Sequence, residues 1–134
     1  MSPEETGTDL EAFRAAGRSL FSLGLIRGSE GNLSTYSGET LVITRTGARL
    51  DRLSASDLLE GTLSGPLPAA SSDLEVHRRM YAELGPGALA HSHPLGTRSE
   101  APPSPGEHGL YVFASTLEEA VERTAGRVRG MGPA

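Results

Sequence analysis

The main strand-like segments of this chain come in two pairs with no helix between the members of a pair, and this spacing limits the fold more than any other feature. "NLSTY" (32–36) leads through the turn-like "SGET" into "TLVIT" (40–44), which is rich in β-branched residues. Further along, the apolar "ALAHSH" (88–93) precedes "HGLYVFA" (108–114). Parallel strands are joined by long crossovers that usually contain a helix. The connections seen here therefore predict a sheet that is mainly antiparallel.

Helix signals flank these strands. Each predicted helix begins with a hydroxyl side chain followed three residues later by glutamate, which is the spacing of a capping box. These pairs are Thr8–Glu11, Ser72–Glu75 and Ser115–Glu118, and Ser54 with Asp57 marks one further helical turn. A weaker strand, "LLEGTL", lies between the hairpin and the second helix. The order helix, hairpin, helix, strand, strand, helix predicts an α/β sandwich.

The length of the chain suits one domain. Its 134 residues fall within the usual range, so we expect a single domain over residues 1–134. Residues 1–7 are polar, precede the first helix signal and are expected to be flexible. Residues 94–107 are rich in proline and form the only linker-like segment.

Two residue types are missing from the sequence, and their absence excludes whole classes of chemistry. Without cysteine, the chain has no disulfide, thiolate metal site or thiol nucleophile. Without lysine, it has no Schiff-base chemistry and no phosphate-loop lysine, since all 12 basic residues are arginine. The formal net charge of −5 speaks against nucleic-acid binding.

Hydropathy gives no sign of a membrane protein. No apolar run reaches the length of about 18 residues that a membrane span requires. The acidic N-terminus lacks the basic-then-apolar order of a secretory signal. We therefore expect no membrane partner and a cytoplasmic location.

Three of the four histidines lie around one short pair of predicted strands. His91 and His93 are two residues apart, so on a strand their side chains point the same way from Cα atoms about 6–7 Å apart. Two such rings can share a metal ion at about 2.0–2.1 Å each, and His108 opens the next strand. Three histidines with an open fourth position are what catalytic zinc requires. Spacing alone leaves open the alternative that these are ordinary polar residues at strand ends.

Five longer segments stand in a specific order along the chain. They are "GLIRGSEGNLS", "ITRTGARLDRLSASDL", "SSDLEVHRRMY", "ALAHSHP" and "EHGLYVFASTLEEAVERT", and they cover most of residues 20–124. Together they resemble the class II aldolase/adducin family, of which zinc-dependent fuculose-phosphate aldolase is typical. The resemblance implies a three-layer α/β/α sandwich with a mainly antiparallel central sheet. It also implies a homo-oligomer, often a tetramer, with sites near the subunit interfaces.

The resemblance further implies roles for individual residues. His91, His93 and His108 match the family's ligands to Zn²⁺, although another divalent metal suits the same set. Asp73 stands where the family places a catalytic glutamate, a base that takes a proton from a ketose phosphate while zinc stabilises the enediolate. The positions that match phosphate-binding residues are Asn32, Thr46, Gly47, Ser71 and Ser72. Backbone N–H groups at a glycine loop and a helix N-terminus form such an anion site without lysine.

The chain departs from the family pattern near the predicted site. Asp73 is one methylene shorter than glutamate, a loss of reach of roughly 1.5 Å, and displacements of about 1 Å can slow catalysis some hundredfold. Only fourteen residues separate His93 from His108, where familiar members have a longer segment, and the C-terminal segment is also short. None of the tyrosines has a clear claim to a catalytic role. His77, one helical turn after Asp73, is expected to be buried beside the site rather than to bind metal.

These features leave two functions open. The first is a metal-dependent, aldolase-like lyase that acts on a sugar phosphate, and dehydration or epimerisation would use the same parts. The alternative is a catalytically degenerate domain of the same fold that binds a metal or a small anion. The two differ in whether Asp73 acts as a base, so the sequence leaves open whether the protein is an enzyme.

Overall fold

An antiparallel sheet of five strands lies at the centre of the computed structural model, which describes residues 3–93 and 109–131. Its strands are β1 (Asn32–Tyr36), β2 (Leu41–Thr44), β3 (Leu58–Gly61), β4 (Gly87–Ser92) and β5 (Leu110–Ala114). They stand in the sheet in the order β3-β2-β1-β4-β5. Its helices are α1 (Pro3–Ser22), α2 (Leu74–Leu84) and α3 (Leu117–Met131), with single 3-10 turns at Leu50–Arg52 and Ala55–Asp57. The predicted hairpin and the antiparallel sheet are confirmed.

The two faces of the sheet are covered by different helices. On one face, α1 and α3 bury a large apolar cluster against alternate residues of the strands. This cluster includes Phe13, Leu20, Leu33, Ala88, Ala90, Leu117 and Val121. On the other face, Tyr81 of α2 packs against Leu41 and Leu89. Because side chains alternate between the faces of a strand, these clusters place the sheet between two helical layers, which confirms the α/β/α sandwich.

Helix starts differ from the capping predictions in three places. Helix α1 begins at Pro3 rather than Thr8, since proline is well suited to a first helical position. Helix α2 begins after Asp73, so Ser72 is not its N-cap. Helix α3 is capped one residue later than predicted, by the side chain of Thr116.

The prediction of one further helical turn at Ser54 is confirmed. The helical turn after Ser54 is closed by Asp57, whose Oδ2 accepts a hydrogen bond from the Ser54 N–H at 2.9 Å. No helix within residues 3–93 and 109–131 is long and apolar enough to cross a membrane.

Gly17 allows α1 to lie directly on the 3-10 turn at Leu50–Arg52. A methyl group at Gly17 would stand 1.8 Å from the carbonyl oxygen of Leu50, and backbone cannot yield as a side chain can. We therefore expect Gly17→Ala to lower the free energy of unfolding by about 1–3 kcal/mol, the usual effect of overpacking. Chemical denaturation followed by circular dichroism measures this change.

Gly126 of α3 provides the matched control. A methyl group there would meet nothing closer than the Arg129 guanidinium at 3.9 Å, so Gly126→Ala removes only the entropic disadvantage of a helical glycine. We expect that variant to gain about 0.5–1 kcal/mol. Equal stability of the two variants would contradict the close contact between α1 and Leu50.

Candidate active site

The strand register places three polar side chains in one row across the sheet. Asn32 of β1 lies opposite His91 of β4, and His91 lies opposite Tyr111 of β5. Ser34 shares the face of Asn32 because it is two residues further along the same strand. This is the face that α2 covers, since both side chains bond to His77 of that helix.

The two histidine rings of "HSH" converge. Nε2 of His91 lies 2.9 Å from Nε2 of His93, with the ring planes nearly perpendicular. His91 is fully buried, whereas His93 follows the end of β4 and is held by a hydrogen bond from its N–H to the Leu25 carbonyl. Two nitrogen ligands of a tetrahedral zinc ion lie roughly 3.3 Å apart, so this convergence fits a shared divalent ion.

The predicted third ligand, His108, lies outside the described residues. Within the described ranges, no group of three or more His, Cys, Asp or Glu side chains is arranged to hold a metal ion. The structure therefore brings together two of the three predicted ligands, and the metal site as a whole stays a prediction.

A glycine allows β5 to approach the histidine pair closely. Gly109 has a φ of +80°, and a methyl group there would lie 2.4 Å from the Ser92 carbonyl oxygen and 3.2 Å from Cε1 of His91. Only glycine combines that backbone angle with that closeness. The His91 ring is thus confined on one side by backbone.

Tyr111 confines the His91 ring further and is a site residue that the sequence analysis missed. The ring centroids of Tyr111 and His91 are 3.9 Å apart. Its hydroxyl is buried without a hydrogen bond of normal geometry to any part of the chain that the structure describes. Burial, followed by the nearby Asp73 carboxylate, raises the pKa of Tyr111 far above its usual value. Tyr111 therefore stays protonated and presents an O–H donor beside Asp73.

Asp73 reaches the histidine pair despite its short side chain. It immediately precedes α2, and its Oδ2 lies 3.7 Å from Nε2 of His91. Nδ2 of Asn32 donates a hydrogen bond to the same oxygen at 2.8 Å. Because α2 starts directly above the row of Asn32 and His91, the missing methylene does not separate the carboxylate from the histidines.

The loops predicted to bind phosphate lie side by side. The N–H of Thr46 donates to the Ala69 carbonyl, and the N–H of Ser71 donates to the Thr44 carbonyl. These bonds bring the Thr46–Gly47 turn next to Ser71 and Ser72.

The five predicted phosphate-binding residues are not equally accessible. Thr46, Gly47 and Ser72 are exposed, whereas Ser71 and Asn32 are buried. Oγ of Ser71 accepts a hydrogen bond from the N–H of Asp73, and the Asn32 amide contacts Asp73 and His77. The exposed three are therefore the better placed to receive an anion, and phosphate binding stays a prediction.

His77 connects this corner to the interior and is fully buried, as predicted. Its Nε2 faces Oδ1 of Asn32 in a short hydrogen bond, and its Nδ1 lies 2.6 Å from Oγ of Ser34. Oγ of Ser34 also lies 2.8 Å from the Tyr81 hydroxyl. The sequence analysis missed Ser34 and Tyr81, although strand alternation from Asn32 was a signal for Ser34.

The burial of His77 predicts a loss of stability in acid. Burial lowers the pKa of His77 to about 4, against the opposing charge of Asp73. As the pH falls below the usual histidine pKa of about 6.5, the unfolded chain binds a proton that the folded chain refuses until about pH 4. The free energy of unfolding should therefore fall by about 3 kcal/mol from this group between those pH values.

Denaturation measured at several pH values tests this expectation against His77→Gln. The variant has no titrating group at this position, so its stability should fall less steeply over the same range. Parallel pH profiles for the two proteins would show that His77 is not buried in its neutral form.

Comparison with known proteins gives three similarities. Residues 11–98 match the sequence model of the Class II Aldolase and Adducin N-terminal domain. The chain is 34% identical over 117 residues to methylthioribulose-1-phosphate dehydratase of Bradyrhizobium sp. (strain BTAi1), a match that covers 85% of this chain and 54% of the relative. It is 36% identical over 83 residues to 5-methylthioribulose-1-phosphate/5-deoxyribulose-1-phosphate aldolase of Rhodospirillum rubrum, over 58% of this chain and 37% of the relative. The chain thus spans about half the length, or less, of these relatives.

A solved structure agrees with the fold. The l-fuculose-1-phosphate aldolase from Thermus thermophilus superimposes with a TM-score of 0.67 at 25% sequence identity. The match covers 93% of this chain and 97% of that one. The antiparallel sheet and its covering helices therefore have a close counterpart of known structure.

Proposed function

We propose that this chain, which belongs to the class II aldolase and adducin family, is a metal-dependent lyase acting on a ketose phosphate. The observation that carries the proposal is the placement of one carboxylate beside two converging imidazoles. Oδ2 of Asp73 lies 3.7 Å from Nε2 of His91, which lies 2.9 Å from Nε2 of His93. A base next to a pair of neutral nitrogen ligands is the arrangement needed to remove a proton beside a carbonyl group.

His91 and His93 would hold the metal ion, with His108 as the third ligand. We propose Zn²⁺ or another divalent ion, since imidazole nitrogens suit several such metals. When bound, the ion supplies a Lewis acid for the negative charge that develops on the substrate oxygens. The chain's own contribution is to limit the movement of the His91 ring through its close contacts with Gly109 and Tyr111.

Asp73 would take the proton from the carbon next to the substrate carbonyl. The hydrogen bond from Asn32 fixes the carboxylate, and its small exposed fraction of 12% excludes most water. In dehydration, the electron pair left on carbon expels the neighbouring hydroxyl, which leaves as water with the proton that Asp73 took. In aldol condensation, it attacks an aldehyde, and cleavage is the reverse. The names of the two relatives, a dehydratase and an aldolase, correspond to these two outcomes.

Thr46, Gly47 and Ser72 would receive the substrate phosphate. Their loops are adjacent and exposed, and the N-terminus of α2 adds a partial positive charge. Hydroxyl groups and backbone N–H groups of this kind can donate hydrogen bonds to an anion, so no lysine is required. The homo-oligomer, a tetramer by family resemblance, and the cytoplasmic location expected from hydropathy and the N-terminal sequence likewise stay predictions.

Incubation of the metal-loaded protein with 5-methylthioribulose 1-phosphate tests the proposal. Loss of water to a diketone would identify a dehydratase, and release of dihydroxyacetone phosphate would identify an aldolase. Binding of the ketose phosphate without turnover would contradict the proposal. It would favour instead the degenerate domain that binds a metal or an anion.

A further inference from the structure

We infer that His77 is a positioning residue of this site, which holds Asp73 through a one-way chain of hydrogen bonds that begins at the buried Tyr81. The chain runs from Tyr81 through Ser34, His77 and Asn32 to Asp73. The effect of this hydrogen-bond chain on turnover rests on the proposed function, whereas the direction in which its hydrogen bonds are donated does not.

The direction of the chain is fixed first at the Asp73 end. A carboxylate oxygen accepts hydrogen bonds, so the Asn32 atom 2.8 Å from it is the amide nitrogen. The amide oxygen of Asn32 then faces Nε2 of His77. Because that oxygen can only accept, Nε2 of His77 must carry the proton.

The direction then follows through the interior. His77 is fully buried, and its burial keeps it neutral, so only one ring nitrogen carries a proton. Nδ1 therefore accepts a hydrogen bond from the Ser34 hydroxyl, 2.6 Å away. The Ser34 oxygen in turn accepts from the Tyr81 hydroxyl, which burial keeps protonated. Every donor along the chain points toward Asp73.

This arrangement couples the orientation of Asp73 to the packing of α2 on β1. Ser34, His77 and Tyr81 are each 1% exposed or less, so none can replace a lost partner with water. A chain of this kind turns only as a unit, since reversing one member leaves two donors or two acceptors facing each other. Among the described ionisable groups, the charge of Asp73 acts on His77, the Tyr111 ring packs edge-on against it, and Tyr81 shares its Ser34 partner. The hydrogen bonds connect His77 to Asp73 through Asn32.

The histidine tautomer tests the chain without any need for activity. The chain contains four histidines, so the nitrogen-15 NMR spectrum of the labelled protein contains few imidazole signals. The signals that disappear in His77→Gln are those of His77. We expect His77 to be protonated at Nε2 and unprotonated at Nδ1 near neutral pH. Protonation at Nδ1 would overturn the inference.

Two substitutions at His77 test its effect on Asp73. Gln keeps a donor near the position of Nε2, whereas Phe keeps the ring but has no polar atom. His77→Phe should shift the carbon-13 signal of the Asp73 carboxylate, assigned with Asp73→Asn, and lower kcat about 10- to 100-fold with KM changed far less. His77→Gln should leave the Asp73 signal and kcat closer to their wild-type values.

A third variant and the two readouts keep the outcomes distinct. If His77→Phe does not fold, Ser34→Ala breaks the chain at one hydroxyl and should shift the same Asp73 signal. If neither His77→Phe nor Ser34→Ala shifts the carbon-13 signal of Asp73, the inference is overturned even in an active enzyme. The expected tautomer and shift in a protein without turnover would support the chain while contradicting the proposed lyase.

Discussion

Replacing both His91 and His93 by alanine is expected to reduce the bound metal from about one ion per chain to none. Their Nε2 atoms lie 2.9 Å apart, so both would bind the same ion. We expect the remaining predicted ligand, His108, to be too weak a site to retain the ion by itself. Turnover should vanish together with the metal, since under the proposed function the same ion would stabilise charge on the substrate. Elemental analysis after dialysis against zinc, followed by removal of excess metal, measures the change.

His77→Gln is the matched control for this prediction. Both ring nitrogens of His77 face partners inside the protein, Asn32 and Ser34, so neither is directed at the predicted metal ion. That variant should keep its metal. Equal metal contents in the wild type and the double alanine variant would show that "HSH" is not a ligand pair.

Asp73→Asn is expected to lower kcat by about 10²–10⁴-fold, the usual contribution of general acid–base catalysis. Asparagine has nearly the same shape and can still accept the hydrogen bond from Asn32, but it cannot take a proton from carbon. The substrate phosphate is expected to bind elsewhere, at Thr46, Gly47 and Ser72, so KM should change much less. Steady-state kinetics with the substrate found active measure both constants.

Glu75→Gln controls for the removal of a negative charge at the start of α2. The Glu75 side chain is 78% exposed and pairs with Arg78, away from the histidines. We expect its kcat to stay near that of the wild type. An Asp73→Asn variant with kcat within tenfold of the wild type would remove Asp73 from the role of base.

Much of the fold was predictable because the strands and their turns are set by residues close together in the sequence. Strand alternation and β-branched residues predicted β1 and β2, and the short connection between them required a hairpin. The convergence of His91 and His93 was also predictable, since residues two apart on a strand share a face.

Features that depend on distant parts of the chain could not be predicted in the same way. Tyr111 became a site residue because β4 pairs with β5 in a register that places it opposite His91. Nothing in the local sequence sets that register. The start of α2 was also misjudged because the Asp73 side chain bonds to Asn32, 41 positions earlier, while Ser71 rather than Ser72 receives the Asp73 N–H.

Proton removal by Asp73 at a metal-dependent site is tested most directly by proton exchange on dihydroxyacetone phosphate in D₂O, followed by proton NMR. Its hydroxymethyl carbon corresponds to the carbon at which both aldol cleavage and dehydration of a ketose 1-phosphate develop negative charge. We expect the metal-loaded wild type to exchange this proton, and the metal-free protein and Asp73→Asn to exchange it at least about a hundredfold more slowly. Exchange that is absent from the loaded wild type, or undiminished in Asp73→Asn, would contradict proton removal by Asp73 at a metal-dependent site.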